Sequence, residues 1–393
     1  MRLQDPIRVG RAALLLGATL YAAVLPSSPA AQTTIRDSAG IRIVQNPSRA
    51  RARVVFQLGA TPSYQVGGPE EPTDNEFTPN QGYLRGVRLS DNGFVAIDVV
   101  RVHFFDAAGK RVRITGRDGA GPEEFRYLTS ICRTRGDTVV VSDSRNDRIG
   151  VLDRNGTIVR SFRQNELGSP PFEGCFDDGT VVLERALSTA PGASRKLRLT
   201  RVRLDGSVVN SIGDFTFPPF DFTQNAGTVA VGQQRLYVGD GLTSEIRVYN
   251  PAGKLTSIIR SDDPPVRITA AEADARMRAT IPNNTPAAQV EERMQRMRSR
   301  PRATNWPAYQ RAQVDARGRL WVQDYPMKLP SPNAWTAFDA EGRLIGRLVI
   351  PPPASGARRL EIIAFGMDQI LVRRRDDDGF AYLTVLPIQT IRR

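Results

Sequence analysis

Short apolar runs alternate with polar turns along most of this chain, and the alternation repeats. Residues 84–125 read LRGVRLSDNGFVAIDVVRVHFFDAAGKRVRITGRDGAGPEEF, and residues 128–162 read LTSICRTRGDTVVVSDSRNDRIGVLDRNGTIVRSF. Each stretch contains four apolar runs of a few residues, rich in β-branched and aromatic side chains, which is typical of strands rather than helices. The pattern therefore predicts a four-stranded unit that recurs at roughly forty residues.

The turns within these units share one pattern, in which Asp or Asn opens the turn and Gly ends it. The Asp or Asn side chain accepts hydrogen bonds from its own turn, and Gly tolerates a positive φ. These turns lie at residues 106–109, 153–156, 250–253 and 339–342. Further units follow at 172–215, 228–263, 309–350 and from Arg359 onward. Repeated four-stranded units without long internal helices predict an all-β fold, a six-bladed β-propeller.

The last unit shows only three clear strands before the chain ends. A ring with a missing strand would expose an unpaired sheet edge. We therefore expect residues between Gly40 and Leu58 to supply the fourth strand and to close the ring.

Residues 269–300 interrupt the repeat between the fourth and fifth units. The segment is poor in strand formers and carries Ala, Glu, Arg and Met at helical spacing. Thr269 and Glu272 have the spacing of a capping box. The segment therefore predicts a two-helix insertion over one face of the ring. Its packing residues are predicted to be Met277, Met294 and Met297.

The first 30 residues have the pattern of a secretory signal peptide. Three arginines precede an apolar run from Ala12 to Leu25, and small residues follow at Ser28 and Ala30. The run is shorter than the roughly 20 residues that span a bilayer. We predict a signal peptide at 1–30, a single propeller domain at 31–393, a periplasmic or secreted location, and no stable membrane insertion after signal cleavage. An uncleaved membrane anchor is the alternative.

The formal net charge is +13, which raises the question of an acidic polymer as partner. Nearly all of the positive charge is Arg, and the arginines are interleaved with Asp and Glu over many predicted strands. This distribution indicates a solvated, charge-mixed surface. We predict a monomer that binds no nucleic acid and recognises an unknown protein or a small polar ligand.

Polar residues on the first strands are the candidates for a functional site, because first strands line the channel of a propeller. They comprise two acids, Glu173 and Glu361, and two bases, Arg85 and Arg311. A set of mixed sign suits an internal salt-bridge network or recognition of a polar ligand. Trp306 and Tyr309, after the insertion, are predicted aromatic contacts. We expect these six residues at the channel mouth, beneath the insertion; a lid that merely covers apolar surface is the alternative.

The two cysteines, Cys132 and Cys175, occupy equivalent positions in first strands of adjacent units. Each lies four residues before a turn glycine, Gly136 or Gly179. Neighbouring first strands can bring such positions within disulfide reach in an oxidising compartment. Two isolated buried thiols are the alternative.

Acidic residues recur where second strands end, at Asp98, Asp143, Glu184, Asp240 and Asp324. Such a ring resembles a set of calcium ligands, but repeated residues in repeat proteins usually hold repeated loops. We therefore expect them to accept hydrogen bonds from loop N–H groups. The only histidine, His103, excludes a three-His zinc site and is expected to be exposed or sandwiched between sheets. We predict no catalytic residue, no metal ligand and no cofactor, with channel calcium as the alternative.

The stretch VVVSDSRNDRIGVLDRNGTIVRSF, with GRDGAGPEEF before it, resembles the NHL-type repeat family of six-bladed propellers. The resemblance covers roughly residues 84–262, and the whole layout resembles secreted bacterial six-bladed propeller proteins of unassigned activity. It implies blade geometry more strongly than chemistry. We favour a non-enzymatic extracytoplasmic binding or scaffold module. The alternative that the resemblance implies is a metal-dependent hydrolase or lyase of the lactonase type that uses channel carboxylates.

Overall fold

A computed structural model describes residues 32–68, 77, 84–163, 172–188, 194–218, 227–300, 303–328, 331–352, 360–376, 378 and 380–391. The predicted signal peptide lies outside the described residues. None of the described helices has the length and apolar character needed to cross a membrane.

The strands follow the predicted units. The N-terminal part forms β1 (Thr34–Ser38), β2 (Ile41–Asn46), a short 3-10 helix (Arg49–Arg51), β3 (Val54–Leu58) and β4 (Tyr64–Gly67). The first two units form β5 (Arg85–Arg88), β6 (Phe94–Ile97), β7 (Val102–Phe105), β8 (Arg111–Thr115), β9 (Leu128–Arg133), β10 (Val139–Asp143), β11 (Arg148–Leu152) and β12 (Ile158–Arg163).

The third and fourth units form β13 (Phe172–Cys175), β14 (Val181–Ser188), β15 (Arg195–Val202), β16 (Val208–Phe217), β17 (Thr228–Gly232), β18 (Arg235–Gly239), β19 (Glu245–Tyr249) and β20 (Leu255–Ser261). The helices α1 (Ala270–Ala279) and α2 (Ala287–Arg298) follow. The last two units form β21 (Tyr309–Val314), β22 (Leu320–Asp324), β23 (Asn333–Phe338), β24 (Leu344–Ile350), β25 (Glu361–Phe365), β26 (Gln369–Arg375) and β27 (Ala381–Thr390).

Within each unit, consecutive strands pair antiparallel in sequence order. The first strands of the units, which we call the inner strands, are β5, β9, β13, β17, β21 and β25. Each inner strand contacts the next, and β25 contacts β5, so that the inner strands surround a common channel. Apolar side chains fill the space between neighbouring sheets; for example, Ile97 and Phe104 pack with Val141 and Leu152. The result is an all-β, propeller-like fold whose only described helices are α1 and α2.

The repeated turns have the predicted geometry. The Asp153 carboxylate accepts hydrogen bonds from the backbone N–H groups of Asn155 (2.9 Å) and Thr157 (2.8 Å). Gly156 closes this turn at a φ of +80°, where a side chain would be strained. Asp106, Asn250 and Asp339 accept the same pair of hydrogen bonds in their own turns. The hairpin chemistry predicted for the repeat is confirmed.

The N-terminal segment pairs with the C-terminal strand, but the residues that do so differ from the prediction. β4, just beyond the predicted range of Gly40 to Leu58, lies beside β27 from Tyr64↔Val385 to Gly67↔Tyr382. β3, inside that range, pairs only with the end of β27 and runs parallel to β24. β2 instead runs parallel to β20 in the fourth unit. Because β27 is ten residues long, it can pair with two short strands in succession.

The insertion contains the two predicted helices. α1 begins at the predicted capping box, in which Thr269 and Glu272 each accept a hydrogen bond from the other's backbone. Met277 and Met294 are buried, whereas Met297 is only partly buried. They pack against Trp306 and against Leu242 and Tyr325, which follow the second strands of the fourth and fifth units.

We predict that the pairing of β4 with β27 contributes to global stability. Replacing Val66 with Ala removes buried methyl groups from the core between β4 and β27. The free energy of unfolding should fall by about 2 kcal/mol in urea unfolding. The same substitution at Val54, an exposed residue of β3, is the matched control and should change stability by less than about 0.5 kcal/mol. Equal effects of the two substitutions would contradict a structural role for β4.

Candidate functional site

A cavity of about 610 Å³ lies between the inner strands. Its wall includes residues of every inner strand, among them Arg85, Thr129, Glu173, Thr228 and Arg311. All five lie at or near the beginnings of their strands. Because every unit has the same antiparallel order, these strand beginnings lie at one end of the channel. The predicted charged residues of the inner strands are therefore gathered at a single end of the ring.

Two neighbouring inner strands carry an arginine–glutamate network. Arg311 donates a hydrogen bond from Nη1 to the Ile362 carbonyl oxygen (3.3 Å), and the same nitrogen lies 3.8 Å from Oε1 of Glu361. Glu361 also forms an ion pair with Arg373. Burial lowers the pKa of Arg311 to about 10; repulsion from Arg85 and Arg373 adds to this, and Glu361 opposes it. The excess of positive charge in this network thus contributes to the lowered pKa of Arg311.

Arg85 lies on β5, next to β25, and its guanidinium lines the cavity. It is partly buried, and within the described residues its side chain has no hydrogen bond or ion pair. Thr129 on the next inner strand is similar, since its buried hydroxyl also lacks a partner among those residues. Thr228, by contrast, accepts a hydrogen bond from the backbone N–H of Ala312 (3.0 Å). This part of the cavity wall therefore presents polar groups that no described residue satisfies.

Glu173 belongs to a pair of carboxyl groups on the third unit. Its partner is Glu184 on β14, which is ion-paired with Arg195. Burial raises the pKa of Glu173 well above its usual range, and a hydrogen bond to Glu184 together with repulsion from that residue raises it further. Glu173 is partly exposed and lines the cavity. Glu173 therefore loses its proton at a higher pH than an ordinary glutamate does.

The pairing of Glu173 with Glu184 was not predicted from the sequence. Glu184 was recognised only as one of the acids that end second strands. The pairing of β13 with β14 is irregular between Phe172 and Gly174, at the position of Glu173. A sequence pattern shows the spacing of strands but does not show where such an irregularity falls.

Trp306 and Tyr309 lie apart from the charged residues of the channel. The Tyr309 side chain is buried, with its hydroxyl donating to the Glu245 carbonyl oxygen (2.9 Å) and accepting from the Gly241 N–H (3.1 Å). The Trp306 ring is buried against the insertion and stacks on Tyr325, with ring centroids 5.7 Å apart. Within the described chain, the cavity wall includes neither aromatic residue and no residue of the insertion. A covering of this mouth by the insertion therefore stays a prediction.

Two of the five recurring acids, Asp98 and Asp240, hold the loop before the third strand, as predicted. Asp98 accepts hydrogen bonds from the N–H groups of Val100 (3.1 Å) and Arg101 (2.9 Å). Asp240 does the same with Leu242 and Thr243, whereas Asp143 accepts from the N–H groups of Arg126 and Tyr127, which precede β9. The prediction is wrong for Glu184 and Asp324, which form ion pairs with arginines, because the loops that follow them differ from those of the other units. Among the described residues, no three His, Cys, Asp or Glu side chains are grouped so as to hold a metal ion.

His103 is sandwiched between sheets, which is one of the two placements expected. Its Nε2 lies 3.3 Å from Oδ2 of Asp98, and its ring packs edge-on against Phe77. Burial lowers the pKa of His103, although Asp98 opposes this shift. The histidine is thus a neutral core residue that lies away from the cavity wall.

Cys132 and Cys175 form a disulfide bond between the inner strands β9 and β13, with their Cα atoms 5.7 Å apart. Both residues also line the cavity. The bond ties together two of the strands that surround the channel.

The fold can be compared with solved structures. A member of the DUF4221 family from Bacteroides vulgatus matches with a TM-score of 0.51 and 12% identity over 86% of this chain and 100% of that one. A protein named as exported from Bacteroides fragilis matches with a TM-score of 0.51 and 10% identity over 89% of this chain and 100% of that one. A gluconolactonase from Xanthomonas campestris matches with a TM-score of 0.43 and 14% identity over 79% of this chain and 88% of that one.

The fold is a propeller. At these identities the similarity shows the architecture alone, and the family type and the activity stay open. No protein-family model matches the sequence. No curated protein matches it either.

We predict that the disulfide contributes strongly to stability. It links residues 43 positions apart, which corresponds to about 4 kcal/mol in the chain-entropy model. Adding a reductant should lower the free energy of unfolding by about this amount. The double variant Cys132→Ser/Cys175→Ser should be insensitive to the reductant. Two free thiols in the denatured, unreduced wild-type protein would contradict the bond.

We predict that the proton on the Glu173 carboxyl group makes stability pH-dependent. The folded protein holds this proton above the ordinary glutamate pKa of 4.5, so its stability falls as the pH rises from that value toward the raised one. Glu173→Gln removes this loss. The free energy of unfolding of the variant relative to wild type should therefore rise between pH 5 and pH 8, by about 1.4 kcal/mol for each pKa unit of the shift. The matched control is Glu361→Gln, which should lose a similar amount of stability at both pH values. Parallel pH profiles of wild type and Glu173→Gln would contradict the prediction.

Proposed function

We propose that this protein is a binding module that holds a small anionic ligand in its channel, between Arg85 and Arg311. The observation that carries the proposal is the Arg85 guanidinium, which lines the cavity and has no hydrogen-bond or ion-pair partner within the described residues. An arginine without a carboxylate partner can use all of its N–H donors to bind an anion. An anion between the two arginines pairs with Arg85 and offsets the repulsion from Arg85 that contributes to the lowered pKa of Arg311.

The chemistry of arginine narrows the ligand. A guanidinium offers several N–H donors in a plane that matches a carboxylate or a phosphate oxygen pair. The cavity, at about 610 Å³, is within the usual range for small-molecule sites. Thr129 adds a hydroxyl group beside Arg85. We therefore propose a small organic carboxylate or phosphate as the ligand rather than a protein partner.

The contacts of the recurring acids support binding over the lactonase-type alternative. Asp98, Asp143 and Asp240 use their carboxylates to hold loop N–H groups. Glu361, on an inner strand, is engaged with Arg373 and Arg311. These four carboxylates are thus engaged by loop N–H groups or by arginines, which supports recognition over metal-dependent catalysis.

We propose further that the ring has six blades of the NHL type. The support is that six inner strands contact one another in sequence and the last contacts the first. We also propose that the protein acts outside the cytoplasm as a monomer. The signal-peptide pattern of residues 1–30 supports export, and a disulfide bond is typical of an oxidising compartment.

The proposal is tested by anion binding to wild type and to Arg85→Gln. Acetate, butyrate, hexanoate, succinate and inorganic phosphate are titrated into the purified full chain while its thermal unfolding is followed. At least one anion should stabilise wild type in a saturable manner, and Arg85→Gln should weaken that binding by about tenfold or more. The matched control is Arg160→Gln, at an exposed arginine of β12, which should bind as wild type does. Binding that is unchanged in Arg85→Gln, or absent from wild type for every anion, would contradict the proposed function.

A further inference from the structure

We infer that a second cavity, between the fourth and fifth units, binds a neutral apolar molecule that carries a hydroxyl group. This cavity, of about 800 Å³, is lined by the segment after β2, by the loops after β18 and β22, and by residues on both sides of the insertion. We call it the side cavity. No described residue lines both the side cavity and the cavity between the inner strands, so the inference is independent of the anion site.

Arg49 is held rigidly in the wall of the side cavity. Its side chain is buried, with Nε paired to Oδ2 of Asp263 (2.8 Å) and Nη2 donating to the Ala308 carbonyl oxygen (2.7 Å). The guanidinium also lies over the Tyr309 ring, with its central carbon 5.6 Å from the ring centroid. The remaining nitrogen, Nη1, is buried and has no hydrogen-bond partner among the described residues. Arg49 therefore has a fixed donor that no described residue uses.

Asp324 provides an acceptor near that donor. Its Oδ2 is ion-paired with Arg347, whereas its Oδ1 lies 3.7 Å from Nη1 of Arg49, which is too far for a hydrogen bond. Within the described part of the chain, Oδ1 accepts no hydrogen bond. An oxygen atom about 2.9 Å from both atoms fits this separation and can bond to each of them.

A hydroxyl group is the ligand group that suits this pair. It accepts one hydrogen bond and donates another, so it can bridge Nη1 of Arg49 and Oδ1 of Asp324. A carboxylate only accepts, and its charge would be repelled by Asp324. An ammonium only donates, and its charge would be repelled by Arg49. The polar pair therefore selects an alcohol over either ion.

The charges around the side cavity also favour a neutral ligand. The ion pairs of the wall join Arg49 to Asp263, Arg347 to Asp324 and Arg260 to Glu245. Arg247, which shares Glu245, does not line the cavity. The one charge of the wall left over is that of Lys328, whose side chain is exposed and is therefore screened by solvent and salt.

Apolar side chains of the same cavity provide contacts for the body of the ligand. Val266 and Met327 line the cavity although they are 42% and 36% exposed. Pro264, Trp306 and Pro307 lie in the same wall. Apolar side chains that are exposed together in a cavity are typical of a binding site. A water molecule could bridge the polar pair but would leave these side chains wet, whereas an apolar alcohol covers both.

The test compares four compounds that share one isopropylphenyl group, by equilibrium dialysis against the purified full chain near neutral pH. Cuminyl alcohol carries the hydroxyl group, para-cymene lacks it, and cuminate and cuminylamine carry opposite charges. Arg85→Gln is used beside wild type, because it removes the arginine proposed to bind anions in the channel. Cuminyl alcohol should bind both proteins equally, and it should bind Arg85→Gln about tenfold more tightly than each of the other three compounds does.

Two further variants locate the site. Val266→Ser should weaken binding of cuminyl alcohol about threefold or more, because it removes apolar contact. The matched control is Val159→Ser, at an exposed valine of β12, which should bind as wild type does. Asp324→Asn removes a negative charge beside two arginines and should therefore strengthen binding of cuminate about tenfold.

Several results would overturn the inference. They are equal binding of cuminyl alcohol and para-cymene, tighter binding of either ion than of the alcohol to Arg85→Gln, equal effects of the two valine variants, and no binding of the alcohol. An unchanged affinity for cuminate in a folded Asp324→Asn variant would do the same. The comparison of the four compounds does not depend on the folding of Asp324→Asn. Failure of the proposed function is distinguishable, because it would appear as anion binding that Arg85→Gln does not change.

Discussion

The pairing of β27 with strands from the other end of the chain holds the ring of sheets together. β27 would otherwise leave a long sheet edge unpaired, which is both unstable and prone to association. β4 pairs with its first half and β3 with its end. β3 also runs parallel to β24, so the fifth and sixth units share one continuous sheet. Two short strands therefore close the ring. β3 and β4 are neighbours in sequence, and they pair with different parts of β27.

Closure of the ring determines which side chains of the inner strands lie near one another in the channel. When the inner strands are fixed against one another, the first few residues of each strand lie near their counterparts at one end of the channel. Charges that are distant in sequence, such as Arg85, Glu173 and Arg311, then share one cavity. Burial moves the pKa values of Arg311 and Glu173 in opposite directions, and Arg85 acts on Arg311 across the channel. The chemistry of the site is thus a product of ring closure rather than of a local motif.

The insertion and the disulfide strengthen the ring in different ways. The disulfide joins β9 to β13 at the channel wall, on the side of the ring that carries the carboxyl pair. The insertion packs by its methionines and Trp306 over the loops of the fourth and fifth units. Tyr309 begins the next inner strand and is fixed by two hydrogen bonds beneath this cluster. The aromatic residues after the insertion therefore stabilise the junction of two sheets.

The sequence by itself determined the local structure of this protein. Strand length, Asp-initiated turns with Gly at positive φ, and the capping box at Thr269 depend on neighbours a few residues away, so each was predictable. The tertiary structure alone decided which N-terminal strand pairs with β27 and which polar groups of the inner strands find partners. Glu361 meets two arginines, Glu173 meets another carboxyl group, and Arg85 meets no carboxylate among the described residues. These outcomes depend on contacts between distant units and on an irregularity in strand pairing, which a repeating pattern of apolar and polar residues does not encode.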